Sequence, residues 1–228
     1  MQISDNWIDI AYLISAVLFV LGIKGLTKPK TAVRGNLLAA SGMGVACVVT
    51  LLHRDIVTYE IIIGGVIVGG IIGAILAKKV QMTAMPQLVA LLNGFGGGAS
   101  FAVAGAEFFR GGHPDTVGII ATGIAVLIGA VTLTGSFVAF AKLQELIDGK
   151  PMGFPGMKLV NAILLLGSVA AIAYLVMNPG VEPVFWGLAI AAAILGILLV
   201  SPIGGADMPV VIALLNSYSG IAASAAGF

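Results

Sequence analysis

The chain has 228 residues, 59% of them hydrophobic and only 9% charged, whereas a soluble domain carries roughly 25% charge. Too few polar groups remain to wet its surface, and a formal net charge of +1 offers no basic field for polyanions, which argues against a soluble enzyme, a nucleic-acid binder and a disordered regulator alike. The single cysteine, Cys47, lies in an apolar run, so no internal disulfide framework and no multi-cysteine metal site can form.

A hydrocarbon core about 30 Å thick takes roughly 20 apolar helical residues, because each backbone polar group must be satisfied within the segment. The sequence predicts eight such spans, over residues 8–26, 36–52, 56–77, 86–106, 116–141, 159–177, 184–200 and 208–228. The opening MQISDNWIDI is acidic and has no positive n-region, so the first span reads as a retained helix and not as a cleaved signal. The loop after span one carries Lys24, Lys28, Lys30 and Arg34. Span three contains GGVIVGGIIG, with Gly65, Gly69 and Gly73 at four-residue spacing, and span four contains GFGGGAS. In apolar helices such spacing predicts close helix packing, not phosphate cradling. His53 and His113 fall in outer loops and read as solvated.

Span four also carries Asn93. Span five carries Thr132 and Ser136 at i and i+4, with Gly129 one turn earlier. Their hydroxyls can hold a file of water or simply bond back to the carbonyl four residues before. Span eight holds Asn216, Ser219, Gly220 and Ser224. Asp207 closes the loop SPIGGAD just before Met208 and Pro209, where an acidic N-cap would satisfy exposed amides. With Gly204 and Gly205 it could equally offer a contact point for a soluble partner.

Nine of the eleven basic residues lie on one side: those four, then Lys78, Lys79, Lys142, Lys150 and Lys158. The opposite side has Arg54 and Arg110 among Asp55, Glu60, Glu107, Asp115 and Glu182. The positive-inside rule therefore makes every odd-to-even loop cytoplasmic and leaves both termini outside. No charged residue or histidine lies near the middle of a span, so the chain has no titrating relay of its own.

Residues 85–99, MPQLVALLNGFGGGA, align with 208–222, MPVVIALLNSYSGIA, at a constant offset of 123. The preceding helices correspond loosely, with Gly73 falling on Gly196. Four spans separate the copies, so the repeat is expected to be parallel. The expected fold class is an all-α membrane protein, a bundle of about eight transmembrane helices with a parallel internal repeat. An asparagine amide within the hydrocarbon cannot face lipid cheaply, so Asn93 and Asn216 are expected to point into the bundle and form a polar seam. Interhelical glue is the plainer alternative.

The strings AKKVQMTAMPQLVALLN, VTLTGSFVAFAKL and GGADMPVVIALLNSYSGIAASAAGF resemble the membrane domain of the beta subunit of proton-translocating NAD(P) transhydrogenase. The resemblance covers nearly the whole chain. It implies a transmembrane proton-channel domain over residues 1–228 that couples proton movement to hydride transfer between NAD(H) and NADP(H), both held on other, cytoplasmic domains. This chain would then bind no cofactor or metal and contain no catalytic residue.

By similarity, Asn216 and Ser136 match channel residues, with Asn93, Thr132 and Ser219 beside them. Asp207, with Gly204 and Gly205, matches the side where the NADP(H)-binding domain communicates. Many members carry a histidine at the position of Asn93, which implies a companion alpha-type subunit whose helices supply it. The resemblance further implies a bacterial inner membrane, surrounding lipid, a dimer of the whole complex, and a last helix and NADP(H)-binding domain beyond residue 228. The alternatives from other classes are a small-solute secondary transporter built on parallel repeats, and a membrane anchor that only positions soluble domains.

Overall fold

The computed structural model describes residues 5–52, 59–110 and 115–227. Its eight long helices are α1 (Asp5–Leu26), α2 (Pro29–Leu52), α3 (Tyr59–Lys79), α4 (Met85–Phe109), α5 (Thr116–Leu143), α6 (Met157–Met177), α7 (Glu182–Val200) and α8 (Met208–Ala226). Each is long and apolar enough to cross a membrane, and there is no strand among the described residues. The chain is an all-α protein of the multi-pass membrane type. Residues 53–58, with His53, Arg54 and Asp55, lie outside the described residues, as do His113 and Phe228.

The helix starts follow from local chemistry. Proline occupies the first turn of α4, α7 and α8, where its missing N–H would be unpaired anyway. Asp115 caps α5 by accepting from the Gly118 amide at 2.8 Å. The largest departure from the expected spans is α2, which begins at Pro29 and not near residue 36. Lys30 and Arg34 in its first turns are exposed, and long cationic side chains can reach from a helix end to the polar boundary.

By its contacts the chain divides into residues 1–74 and 75–228. In the first unit α1 and α2 form a hairpin whose backbones nearly touch. A Cβ on Gly25 would lie 2.7 Å from the Gly35 Cα, and one on Gly35 2.7 Å from the Gly22 carbonyl oxygen. Ser15 Oγ donates to the Gly42 carbonyl at 2.7 Å across this crossing. In contrast, α3 has no buried residue. A Cβ on Gly64, Gly65, Gly69, Gly70 or Gly73 would meet nothing within 4 Å. Among the described residues of the first unit, the close packing expected of that glycine stripe is not seen.

In the second unit α5 is central, packed on α4, α6, α7 and α8, while α4 also meets α8 and α6 meets α7. One apolar core gathers Phe185, Leu188, Ala192 and Leu195 of α7 against Ala125, Val126 and Ala130 of α5. A second joins Ala90, Ala139, Val200, Met208, Ile212 and Leu215. The backbones of α5 and α7 approach at Gly196, where a Cβ would collide with the Val131 carbonyl and with Thr134. Thr134 Oγ1 donates there to the Ala193 carbonyl at 2.8 Å. Gly196 is thus enclosed while Gly73, its loose counterpart in the repeat, is open.

Candidate functional site

The α4–α5 seam gathers several of the buried polar groups, while Ser15, Ser168 and the unpartnered Asn161 Oδ1 lie elsewhere. The two helices run antiparallel, as three successive contacts show. Gln87 Nε2 donates to the Leu143 carbonyl at 3.2 Å, Asn93 Nδ2 donates to Ser136 Oγ at 2.9 Å, and the next turn brings Gly97 against Gly129 and Thr132. At 1.5 Å per residue this series extends about 15 Å into the bundle from the Gln87 end. Asn93 is 6% exposed, and Thr132 and Ser136 are fully buried. Glycines at 94 and 97 permit the approach, for a Cβ on Gly97 would stand 2.8 Å from the Gly129 carbonyl oxygen.

Three polar atoms on this seam are buried without a hydrogen-bond partner among the described residues: Gln87 Oε1, Asn93 Oδ1 and Thr132 Oγ1. The bland fate of a helical hydroxyl is seen elsewhere. Ser100, Thr134, Ser168 and Ser201 each bond the carbonyl four residues before. Thr132 does not, and Ser136 is engaged by Asn93 instead. Asn93, Thr132 and Ser136 thus lie on one buried seam. The sequence gives no sign of Gln87, which stands six residues before Asn93 and about 120° around the helix from it.

Asn216 departs from expectation. It is exposed on α8 and does not point into the bundle. The buried face of α8 runs through Met208, Ile212, Leu215, Ala222 and Ala225, whereas α4 buries Ala90, Asn93, Gly94, Gly97, Ser100 and Ala104. With the repeat aligned, Leu215 corresponds to exposed Leu92, so the two copies bury faces one residue, about 100°, apart. Gly94, which lets α5 approach on the asparagine side, is replaced by Ser217 in the second copy, and the bulky Ile212 and Leu215 take the core face instead. Ser219 is half-buried and faces α4, its Oγ 3.3 Å from where a Cβ on Gly96 would be.

Asp207 is exposed and occupies the N-cap position of α8, but its side chain makes no capping bond. A one-turn 3-10 helix, Gly205–Asp207, precedes α8 and holds Asp207 at φ −92° and ψ −4°, not in the extended conformation from which an N-cap carboxylate reaches the first turn. A matching 3-10 turn, Met82–Ala84, precedes α4. Gly204 and Gly205 lie against the α5–α6 loop, where the Gly205 amide donates to the Gly149 carbonyl at 2.8 Å.

Lys142, by sequence a loop charge on the basic side, belongs instead to the last turn of α5. It is 2% exposed, and its ammonium donates to the carbonyls of Ser201 at 2.5 Å, Ile203 at 2.7 Å and Lys150 at 3.2 Å. Beside it an open depression of about 660 Å³ is lined by both loops, including Asp148, Gly149, Gly205 and Ala206.

The family model described as NAD(P) transhydrogenase beta subunit matches residues 8–228 of this chain. The chain belongs to that family. Two curated relatives named NAD(P) transhydrogenase subunit beta, from Rhodospirillum rubrum and from a designated strain of the same species, are each 41% identical over 229 residues. The alignment covers 96% of this chain but 48% of each relative, so the chain spans about half the length of the curated relatives it matches. Membership of the transhydrogenase beta family does not favour the small-solute transporter.

The glycines of the α4–α5 seam do not suit a dinucleotide. Gly94 and Gly97 are buried in the interior of α4, where the helix ladder occupies their amides and α5 closes over them. A pyrophosphate needs free amides at a loop or helix start.

Proposed function

We propose that this chain is the proton-translocating membrane part of an NAD(P) transhydrogenase, and that protons cross along the α4–α5 seam with the help of water. The observation that carries this reading is the set of three unpartnered buried atoms on one seam. Leaving such an atom unpaired costs about 1–3 kcal/mol, and three together would rival a domain's whole stability of about 5–15 kcal/mol. Water resolves the conflict. Asn93 gives one amide hydrogen to Ser136 and keeps its oxygen free to accept, while Ser136 keeps its own proton to donate. Thr132 continues the series one turn deeper.

Neither an amide nor a hydroxyl titrates near neutrality, so the group that takes up the proton lies outside residues 1–228. A histidine on a membrane helix of a companion alpha-type subunit fits the position opposite Asn93. The exposed Asn216 and the unoccupied faces of α3 and α8 would then meet helices of that companion or of a second copy in a dimeric complex. NAD(H) and NADP(H) are held on parts of the complex outside residues 1–228, and Asp207, Gly204 and Gly205 meet the NADP(H)-binding part. The nine basic residues support a cytoplasmic position for the loops that carry them, with the N-terminus outside, and the reading takes the membrane to be a bacterial inner membrane.

The test is Asn93→Leu and Ser136→Ala in the complete enzyme reconstituted in vesicles. An interhelical hydrogen bond in a membrane is worth about 0.6 kcal/mol on average, so glue alone predicts little change in stability or pumping. The seam predicts at least a tenfold loss of proton movement per hydride transferred, with the enzyme still assembled. Unaltered pumping in both variants would reject it.

A further inference from the structure

We propose that Lys142 is a positioning residue that ties the two loops at one end of the bundle to α5, and through α5 to the Asn93–Ser136 pair. The inference rests on the reading of that pair as part of the proton path. An ammonium has three hydrogens, and here all three are directed at backbone carbonyls: Ser201 and Ile203 after α7, and Lys150 after α5. Among the described residues no carboxylate forms an ion pair with it. Asp148 acts on it only from beyond ion-pair distance. The charge of Lys142 is spent on geometry.

Ser201 is the C-cap of α7, so the cation also sits at the negative end of that helix. The Ser201 carbonyl accepts a second bond, from the Met152 amide at 3.0 Å, and the Gly205 amide closes on Gly149 at 2.8 Å. The α5–α6 and α7–α8 loops are therefore stapled twice through backbone and once through Lys142, which alone of the three is anchored in a long helix. Ser136 lies six residues earlier on that helix, about 9 Å away. A push on Gly204, Gly205 or Asp207 reaches Ser136 through this tripod. Arginine cannot reproduce it, because its planar fork does not spread three donors around one point.

The experiment uses the complete enzyme in vesicles, recording protons moved per hydride and, with a protonophore present, hydride transfer alone. Lys142→Met is expected to lower coupling at least tenfold and Lys142→Arg to restore less than half of it. Pumping by Lys142→Met within twofold of the unaltered enzyme overturns the proposal. In a Cys47→Ser background, Gly149→Cys and Gly205→Cys supply a cross-link between the loops. Oxidising it in the Lys142→Met chain should recover part of the coupling, and reductant should remove it again; a verified cross-link without recovery counts against the tripod. Should Lys142→Met fail to assemble, the same cysteine pair with Lys142 retained decides: pumping indifferent to oxidation agrees with loops that move as one body, and pumping stopped by oxidation overturns it. If Asn93→Leu pumps normally, the underlying reading has failed. If Asn93→Leu uncouples and Lys142→Met does not, only this inference has.

Discussion

Gly97 and Gly129 stand opposite each other where α4 crosses α5, and a Cβ on either would lie 2.8 Å from the carbonyl oxygen of the other. Both glycines are there because two backbones touch. Gly97→Ala should gain up to about 1 kcal/mol of helix propensity and lose about 1–3 kcal/mol to overpacking, a net destabilisation because the atoms it meets are backbone. Gly69→Ala, where a Cβ meets nothing within 4 Å in this chain, should be neutral or slightly stabilising in the chain by itself. Unfolding of the chain purified without its partners in detergent would compare the two, and equal midpoints would contradict the crossing.

Thr132→Val removes a hydroxyl and keeps the shape. Since Thr132 Oγ1 bonds to nothing described in the chain, a dry seam predicts equal or higher stability and unchanged pumping. A wet seam predicts retained assembly with slower proton movement, several-fold or more. Pumping rates at matched protein content in vesicles separate these outcomes.

Loss of an N-cap side chain ordinarily costs about 1 kcal/mol. Asp207 makes no such bond, so Asp207→Ala should leave the melting temperature of the complex within a degree or two. Coupling should nonetheless drop if the exposed carboxylate meets a soluble domain. A marked thermal destabilisation with normal coupling would reverse the assignment and return Asp207 to a capping role.

Asn216 faces out of this chain, so Asn216→Leu should not disturb the packing of its own five-helix unit. Its effect is expected in the assembled enzyme, where proton movement slows or stops while the separated soluble domains still exchange hydride. Wild-type pumping by this variant would remove Asn216 from the path.

Span length and apolarity made the eight helices legible, because a backbone in lipid has few other options. Asn93 and Ser136 were legible too, since a polar side chain there needs a partner and glycines on the same face let one approach. The face of α8 was not. Its string nearly repeats that of α4, and Ser217 in place of Gly94 does not by itself say which side of α8 its neighbours cover, since that is set by tertiary packing. Lys142 was obscured for another reason: a cation at the end of a span looks the same in sequence whether it reaches water or a ring of carbonyls. The 3-10 turn before Asp207 likewise overrode a sound local expectation about capping.

The α1–α2 hairpin holds together through contacts of its own. Its limbs interlock through Gly22, Gly25 and Gly35 and are pinned by Ser15 on Gly42 and by a 2.9 Å hydroxyl contact between Tyr12 and Thr50. Interlocking of this kind between adjacent limbs asks nothing of later helices. During biosynthesis the first two segments can pair as soon as both have entered the bilayer, giving the nascent chain a settled foothold before the central helix α5 has been translated.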